Sequence, residues 1–390
     1  MLPDWLEEAA DALCSDIGLY IHIPFCRRAC HYCDFYFTPR SSLMEAYVEA
    51  LLKEMQLYHP LLEKVRIRTL FFGGGTPSWL PLNLYQKIFD HLMKFQTFSP
   101  IEITIEANPE DITPENLRAW KALGITRVSL GIQSFSEQVL QMLGRFHRPS
   151  SATQALLYLS EANFPSWSAD LIFGVPGQTL EEFLKDLDHL LIYLPPHLSL
   201  YGLTIEERTV LYKKHKQGRL PPMDEDLYIS MYLAAHELLH QKGYKWYEIS
   251  NWAQEGHECQ HNWRYWRRLS YIGLGPSAHS YIPEQRWANR RSLKDYLNLV
   301  TRGILPLTFH ERLSPLEIRE ELWLTTLRTR QGLPLSSIKA LFGPNFHQLT
   351  PLLSEMIERR WITVRDDTLH LSPTGALMFD FITLKLESKG

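Results

Sequence analysis

Cysteine is scarce in this chain: five residues in 390, at positions 14, 26, 30, 33 and 259. A small, odd number without an export signal argues against a disulfide framework. The opening stretch MLPDWLEEAADAL is acidic and lacks the basic region, apolar run and small-residue cleavage site of a signal peptide. Long apolar runs are missing too; none approaches the roughly 18 residues that span a bilayer. Charge of one sign is not in excess. Lysine and arginine number 40 against 44 acidic residues, so nothing global advertises nucleic acid or anionic lipid as a partner. Fixed-period repeats and low-complexity tracts are absent. What remains is a cytoplasmic protein with reduced cysteines and an ordinary composition, 45% hydrophobic and 22% charged. Its length accommodates about two or three domains.

The first half alternates strand and helix patterns. Apolar, β-branched or aromatic runs fall at 19–23, 69–72, 101–107, 127–132, 169–173 and 198–203. Between them, TLEEFLKDLDHLLIYL places Leu180, Phe183, Leu184, Leu187, Leu190 and Leu191 on one stripe, with a capping box at Thr179 and Glu182. TPENLRAWKALG starts on a capping threonine with Pro114 at the first helical position and ends at Gly124. Near-continuous apolar strands separated by helices predict parallel β-α units covered on both faces. Periodicity leaves open whether six such units form a partial barrel or an open doubly wound sheet.

The rhythm changes after residue 205. Residues 206–300 are rich in Tyr, Trp and His, with a loop-like region around NWAQEGHECQHNWRYW. Beyond it come three short helical patterns, a two-stranded hairpin around Asp366 and Asp367, and a capped helix. Helices followed by a small hairpin resemble a winged-helix module. Its last helices are neither notably basic nor rich in base-reading side chains, so the expectation is scaffolding rather than DNA recognition.

CRRACHYCDF carries the chemistry. Cys26, Cys30 and Cys33 follow the first strand with C-x3-C-x2-C spacing. Thiolate-only ligation suits an iron–sulfur cluster or zinc. Three cysteines on a [4Fe–4S] cubane leave one iron open to a ligand bearing an amine and a carboxylate. The zinc alternative takes His22 or His31 as fourth ligand. FFGGGTPS, directly after the second strand, adds glycines that let backbone approach a ligand and expose its N–H groups.

Together, the cysteine loop and the glycine turn closely resemble the radical S-adenosylmethionine superfamily. That resemblance implies an α/β fold: a partial (β/α)6, TIM-like barrel, with the cluster at the top of the first strand. YIHIPFC, GGGTPS, IEANPE, GIQSF, DLIFGVPGQT and the C-terminal module extend the likeness over nearly the whole chain, to the oxygen-independent coproporphyrinogen oxidase group. The implied layout is a barrel over 1–205, a linking region over 206–305 and a winged-helix-like α+β domain over 306–390. By motif, Cys26, Cys30 and Cys33 hold the cluster, and Tyr20 and Tyr32 flank it and its S-adenosylmethionine. Gly74, Gly75 and Thr76 line the methionine moiety. Glu106 holds the ribose hydroxyls. Gln133, Arg145 and Asp170 match contacts to a second S-adenosylmethionine. Bland alternatives stand beside these roles: strand packing for Tyr20, helix capping for Glu106 and Asp170, an exposed cation for Arg145.

Two features separate the branches of this group. Its oxidases resemble C-x3-C-x2-C-x-C, whereas this chain has Phe35 at the last position, as its haem-chaperone branch does. HNWRYW, residues 261–266, matches the HNxxYW motif of those chaperones. The resemblance makes His261 an axial haem ligand, with Trp263, Tyr265 and Trp266 against the porphyrin face. Arg264, Arg267 and Arg268 would meet the propionates, and Asn262 would orient the imidazole. Cys259 is a competing ligand, and a polar histidine stitching domains together is the bland alternative for His261. The expectation is a haem chaperone that delivers haem to acceptor proteins without coproporphyrinogen oxidase activity. An S-adenosylmethionine-dependent oxidase is the second reading. Either implies a one-electron donor of flavodoxin or ferredoxin type, and the group's homodimer is a further possible partner.

Overall fold

The computed structural model describes residues 3–11, 16–222 and 224–388; Cys14 lies outside them. Six strands, β1 (Ile17–Ile23), β2 (Ile67–Gly74), β3 (Phe98–Ala107), β4 (Arg127–Gln133), β5 (Ser166–Phe173) and β6 (His197–Gly202), lie side by side in chain order. All five neighbouring pairs are parallel. Each strand run expected from the sequence is present. So is the Leu180–Leu191 helix, with both hydrogen bonds of its Thr179–Glu182 capping box.

The two faces of these strands differ in character. One set of alternating residues, Leu19, Ile21, Ile103, Val128 and Leu171 among them, joins the apolar core under the surrounding helices. The opposite set is largely polar. Ser129 donates to Asp170 at 3.3 Å and accepts from Ser168 at 3.0 Å, all across the inner wall.

Residues beyond 205 do more than link. β7 (Lys245–Glu248) and β8 (Asn251–Ala253) add antiparallel strands beyond β6. β9 (Tyr271–Leu274) pairs parallel with β1 and starts an antiparallel run through β10 (His279–Ile282), β11 (Gln285–Asn289) and β12 (Leu307–Arg312). The result is one sheet of twelve strands whose two edges both come from the second half of the chain. Glu54, on the Met44–Leu57 helix, fastens one edge: it accepts from Gly275 N–H at 2.8 Å, Asn289 at 2.6 Å and Tyr296 at 2.7 Å.

A separate core built on Trp323, Leu333, Ile338, Leu353, Ile362 and Ile382 holds the C-terminal module. Three helices there precede the hairpin of β14 (Ile362–Arg365) and β15 (Thr368–Leu371), which is joined by the two-residue β13 (Leu333–Pro334). Asp366 and Asp367 make the turn at φ of 47° and 54°, the left-handed conformation that two-residue hairpins require.

The short helix Gln260–Trp266 closes the barrel beneath the strand starts. Glu102 of β3 accepts from the backbone N–H of Gln260 at 3.0 Å and of His261 at 2.9 Å. His261 is fully buried, with Nδ1 paired to Thr69 Oγ1 at 2.8 Å and Nε2 to the Tyr265 hydroxyl at 2.9 Å. Gly18 makes room for this plug, since a Cβ there would lie 2.7 Å from Cδ of Arg264. Arg264 itself donates to the carbonyls of Ser270 and Asp16.

Two expectations follow. His261→Ala leaves two buried hydroxyls without partners and opens a cavity, so stability falls by about 3 kcal/mol, seen as a lower denaturant midpoint at unchanged slope. Burial pushes the Glu54 carboxyl up to about 7, outweighing its three hydrogen bonds. Between its unfolded value and about 7 the folded state therefore binds the extra proton. Stability is full below that window and declines by about 3 kcal/mol as pH rises through it. Urea melts of wild type and Glu54→Gln across pH 4.5 to 7.5 check this, since the variant should lose that part of the slope.

Candidate cofactor site

The cysteine loop has little secondary structure of its own and is held by bonds to its surroundings. His31, between the second and third cysteines, donates its N–H to the Leu143 carbonyl at 2.8 Å, and its Nδ1 pairs with the Met142 carbonyl at 2.9 Å. Those carbonyls belong to the last turn of the Glu137–Leu143 helix, where backbone acceptors have no partner within the helix itself. Gly144 ends that helix at φ +69°, and a Cβ there would lie 2.6 Å from the His31 ring. Arg27 pairs with buried Asp111 at 2.7 Å and stacks over Trp79, while Ser78 donates to the same carboxylate at 2.7 Å. Cys26 Sγ meets the Thr76 hydroxyl at 3.1 Å.

Behind the loop, a cavity of about 630 Å³ opens at the C-terminal ends of the strands. That volume suits one ligand of cofactor size. Cys26, Cys30 and Cys33 line it, together with Tyr32, Gly74, Gly75, Thr76, Glu106, Gln133, Arg145 and Asp170. Eleven of the twelve residues that the sequence suggested for the cluster and S-adenosylmethionine, all but Tyr20, thus share one cavity. Gln133 ends β4 at φ +71°, a conformation uncommon outside glycine and concentrated at functional sites.

The inner wall favours neutral forms. Burial pushes Glu106 up to about 8, opposed by the Gly74 N–H at 3.1 Å and assisted by Asp170. Burial lifts Asp170 to about 6 against its bonds to Ser199 and Ser129, and its Oδ1 has no protein partner. It also raises the Cys26 thiol and takes Cys33 up to about 11, so metal binding here displaces protons.

Several residues have other surroundings than the sequence suggests. The glycine turn does not offer free N–H groups: Gly74 donates to Glu106, Gly75 to the Ile23 carbonyl at 2.9 Å and Thr76 to the Phe25 carbonyl at 2.7 Å. Its glycines serve close approach instead, since a Cβ on Gly75 would lie 2.6 Å from the Phe25 carbonyl oxygen. Tyr20 is outside the cavity lining, with its hydroxyl on His22 Nδ1 at 3.1 Å. His261 lies in the barrel floor with both ring nitrogens engaged, and Asn262 orients neither of them. Burial lowers His261 to about 3, so the ring is neutral. Cys259 is buried in the floor, its thiol 3.5 Å from Glu102. Arg267 and Arg268 are held by Gln331 and Glu321.

Sequence reasoning missed Asn108, Ser129 and Tyr201, which also line the cavity. The available signal was position: Asn108 follows the last residue of β3, and Tyr201 is the penultimate residue of β6.

The donor set fits a cluster better than a single ion. A mononuclear zinc gathers four ligands around one atom, yet among the described residues no three His, Cys, Asp or Glu side chains converge in that way. His22 is taken up as well, with Nε2 on the Tyr36 carbonyl at 3.1 Å and Nδ1 on Tyr20. A cubane instead spreads its cysteines over separate irons, which suits three thiols around one cavity mouth.

Residues 20–190 match the Radical SAM superfamily model, and residues 313–378 match the HemN C-terminal domain. A protein named "Heme chaperone HemW" from Synechocystis is 36% identical over 354 residues, covering 88% of this chain and 85% of the relative. The Bacillus subtilis protein of the same name is 34% identical over 367 residues, covering 92% and 96%. Mouse "Radical S-adenosyl methionine domain-containing protein 1, mitochondrial" is 36% identical over 329 residues, covering 81% and 74%. Among solved structures, the Escherichia coli coproporphyrinogen III oxidase HemN, described as a radical SAM enzyme, superposes with a TM-score of 0.85 at 23% identity. That match covers 100% of this chain and 94% of HemN, and it shows a shared fold. With a radical SAM barrel, a HemN-type C-terminal module and such relatives along nearly its full length, this chain belongs to the HemW family of the radical SAM superfamily.

Proposed function

We propose that this protein is a haem chaperone that carries a [4Fe–4S] cluster with S-adenosylmethionine and passes haem to acceptor haemoproteins. The observation that carries this reading is the end-to-end similarity to proteins named for haem chaperoning. Phe35 supports it locally, since this apolar side chain stands 64% exposed at the cavity mouth where the oxidases have a further cysteine.

Cys26, Cys30 and Cys33 would hold the cluster, which when bound supplies one-electron reduction of the sulfonium. The protein's own part is to bind and enclose. Gly74, Gly75 and Thr76 would form the wall beside the methionine end. Glu106 would hold the ribose diol; with its carboxyl raised to about 8 it bears a proton at neutral pH and can both donate and accept. Tyr32, Gln133, Arg145 and Asp170, which line the same cavity, would complete the enclosure around the ligand. The partners in this reading are haem, haem-acceptor proteins and a flavodoxin- or ferredoxin-type electron donor, in the cytoplasm, with the chain itself as a homodimer. Among the described residues no helix is long and apolar enough to cross a membrane.

Cys26→Ala should lose cluster assembly, with iron and acid-labile sulfide falling to background after anaerobic reconstitution. The separate C-terminal core should keep its cooperative unfolding. An intact [4Fe–4S] spectrum in that variant would remove the ligand assignment. Anaerobic titration of reconstituted protein with haem should give saturable binding by absorbance, followed by transfer to an apo-haemoprotein. His261→Ala should retain the wild-type Soret band, because the imidazole is committed to the floor. Turnover of coproporphyrinogen with deoxyadenosine release, and no haem transfer, would replace this reading with the oxidase.

A further inference from the structure

Arg145 occupies an unusual place beside the cysteines. Its Nη1 donates to Cys30 Sγ at 3.6 Å, within the reach of a hydrogen bond to sulfur. Its Nη2 donates to Asn108 Oδ1 and to the Gly131 carbonyl, both at 2.7 Å. Asn108 turns its amide N–H toward Thr76 Oγ1 at 3.4 Å, and that hydroxyl meets Cys26 Sγ at 3.1 Å. A chain of bonds therefore runs from Cys26 through Thr76, Asn108 and Arg145 to Cys30, joining two thiols across the cavity. The Arg145 backbone is fixed as well: its N–H donates to the Leu140 carbonyl at 2.9 Å, just past the helix end that docks His31. An exposed cation would need none of this.

We propose that Arg145 is a positioning and tuning residue for the cluster, which it serves by donating a charge-assisted hydrogen bond to the Cys30 sulfur. Asn108 and the Gly131 carbonyl hold the guanidinium in place. This deepens the proposed function and rests on its cluster. The reasoning is electrostatic. Hydrogen bonds to cluster sulfurs, net charge and solvent exposure set the reduction potential. Accepting one electron adds one negative charge without making or breaking a bond at the cysteines. A guanidinium stays charged at every relevant pH, so it stabilises the reduced form more than the oxidised form and raises the potential. Lysine can supply the charge but not the two-sided planar fork that reaches Cys30 and Asn108 together.

The test is a dithionite titration of anaerobically reconstituted protein without S-adenosylmethionine or haem, with the reduced cluster read by electron paramagnetic resonance. Wild type, Arg145→Met, Arg145→Lys and Asn108→Ala are compared at matched iron and sulfide content. The potential should fall furthest in Arg145→Met, and less in Arg145→Lys and Asn108→Ala. An unchanged potential in a fully loaded Arg145→Met protein overturns the proposal. If that variant cannot hold its cluster, the other two decide, and unshifted potentials in both overturn it. A shift that emerges only when S-adenosylmethionine is added would leave Arg145 acting through the ligand alone, not on the cluster, and would also overturn it. Failure of wild type to assemble any cluster would overturn the functional reading beneath it.

Discussion

A carboxylate sealed inside a barrel must be matched, and Glu102 is matched by the start of a helix. Two backbone N–H groups of Gln260–Trp266 point at it, with the Cys259 thiol alongside. Each side relieves the other, since buried helix-start donors need an acceptor and a buried carboxylate needs donors. The cost of separating them is high because both would be left unsatisfied in a low-dielectric interior. This clasp lets a six-stranded, incompletely curved sheet have a closed floor. The cavity lies away from this floor, at the strand ends where the cysteine and glycine loops meet.

The mouth is organised by the same reciprocity. Carbonyls at the end of the Glu137–Leu143 helix need donors, and the cysteine loop supplies them through His31. Asp111 is buried and needs a cation, and Arg27, next to Cys26, supplies it. The loop thereby gains a fixed position without forming a helix or strand. Ligand-bearing loops on rigid strand ends are a recurring solution because the scaffold carries the precision.

Much of this was legible in the sequence, and what was not has physical reasons. The strands and the Thr179 capping box declared themselves by local pattern, because an apolar stripe and a cap are encoded within a few neighbouring residues. The cavity residues followed from the family resemblance, whose motifs stand at strand ends. Phe35, a single difference from the oxidase pattern, also showed which branch to consider. The plug was harder. HNWRYW looks like a ligand motif because its histidine and aromatics are grouped, yet Thr69 and Glu102, which claim His261, lie more than 150 positions away. Spacing cannot reveal a competitor brought in by the fold. The edge strands after residue 205 were similarly hidden: β7 to β11 are three to five residues long, too short for a clear period.

The polar inner wall, which the apolar reading of the strands did not anticipate, bears on the charge of the site. Three thiolates around a cluster would concentrate negative charge at the mouth, and ionised carboxylates behind them would add to it. Burial instead keeps Glu106 raised to about 8 and Asp170 to about 6. Around neutral pH, then, the first remains largely protonated and the second is held closer to neutrality than an exposed aspartate. His22 and His261 are driven the other way, to about 4 and about 3, and remain uncharged imidazoles. Desolvation thus quiets acids and bases alike along much of the inner wall. Arg145, with no accessible neutral form, keeps its charge beside Cys30 while Asn108 and Gly131 satisfy its second nitrogen. A fixed cation acts most strongly where neighbouring charges have been suppressed and water is limited. The barrel's burial of its carboxylates and the placement of one arginine at its mouth are therefore parts of a single electrostatic arrangement.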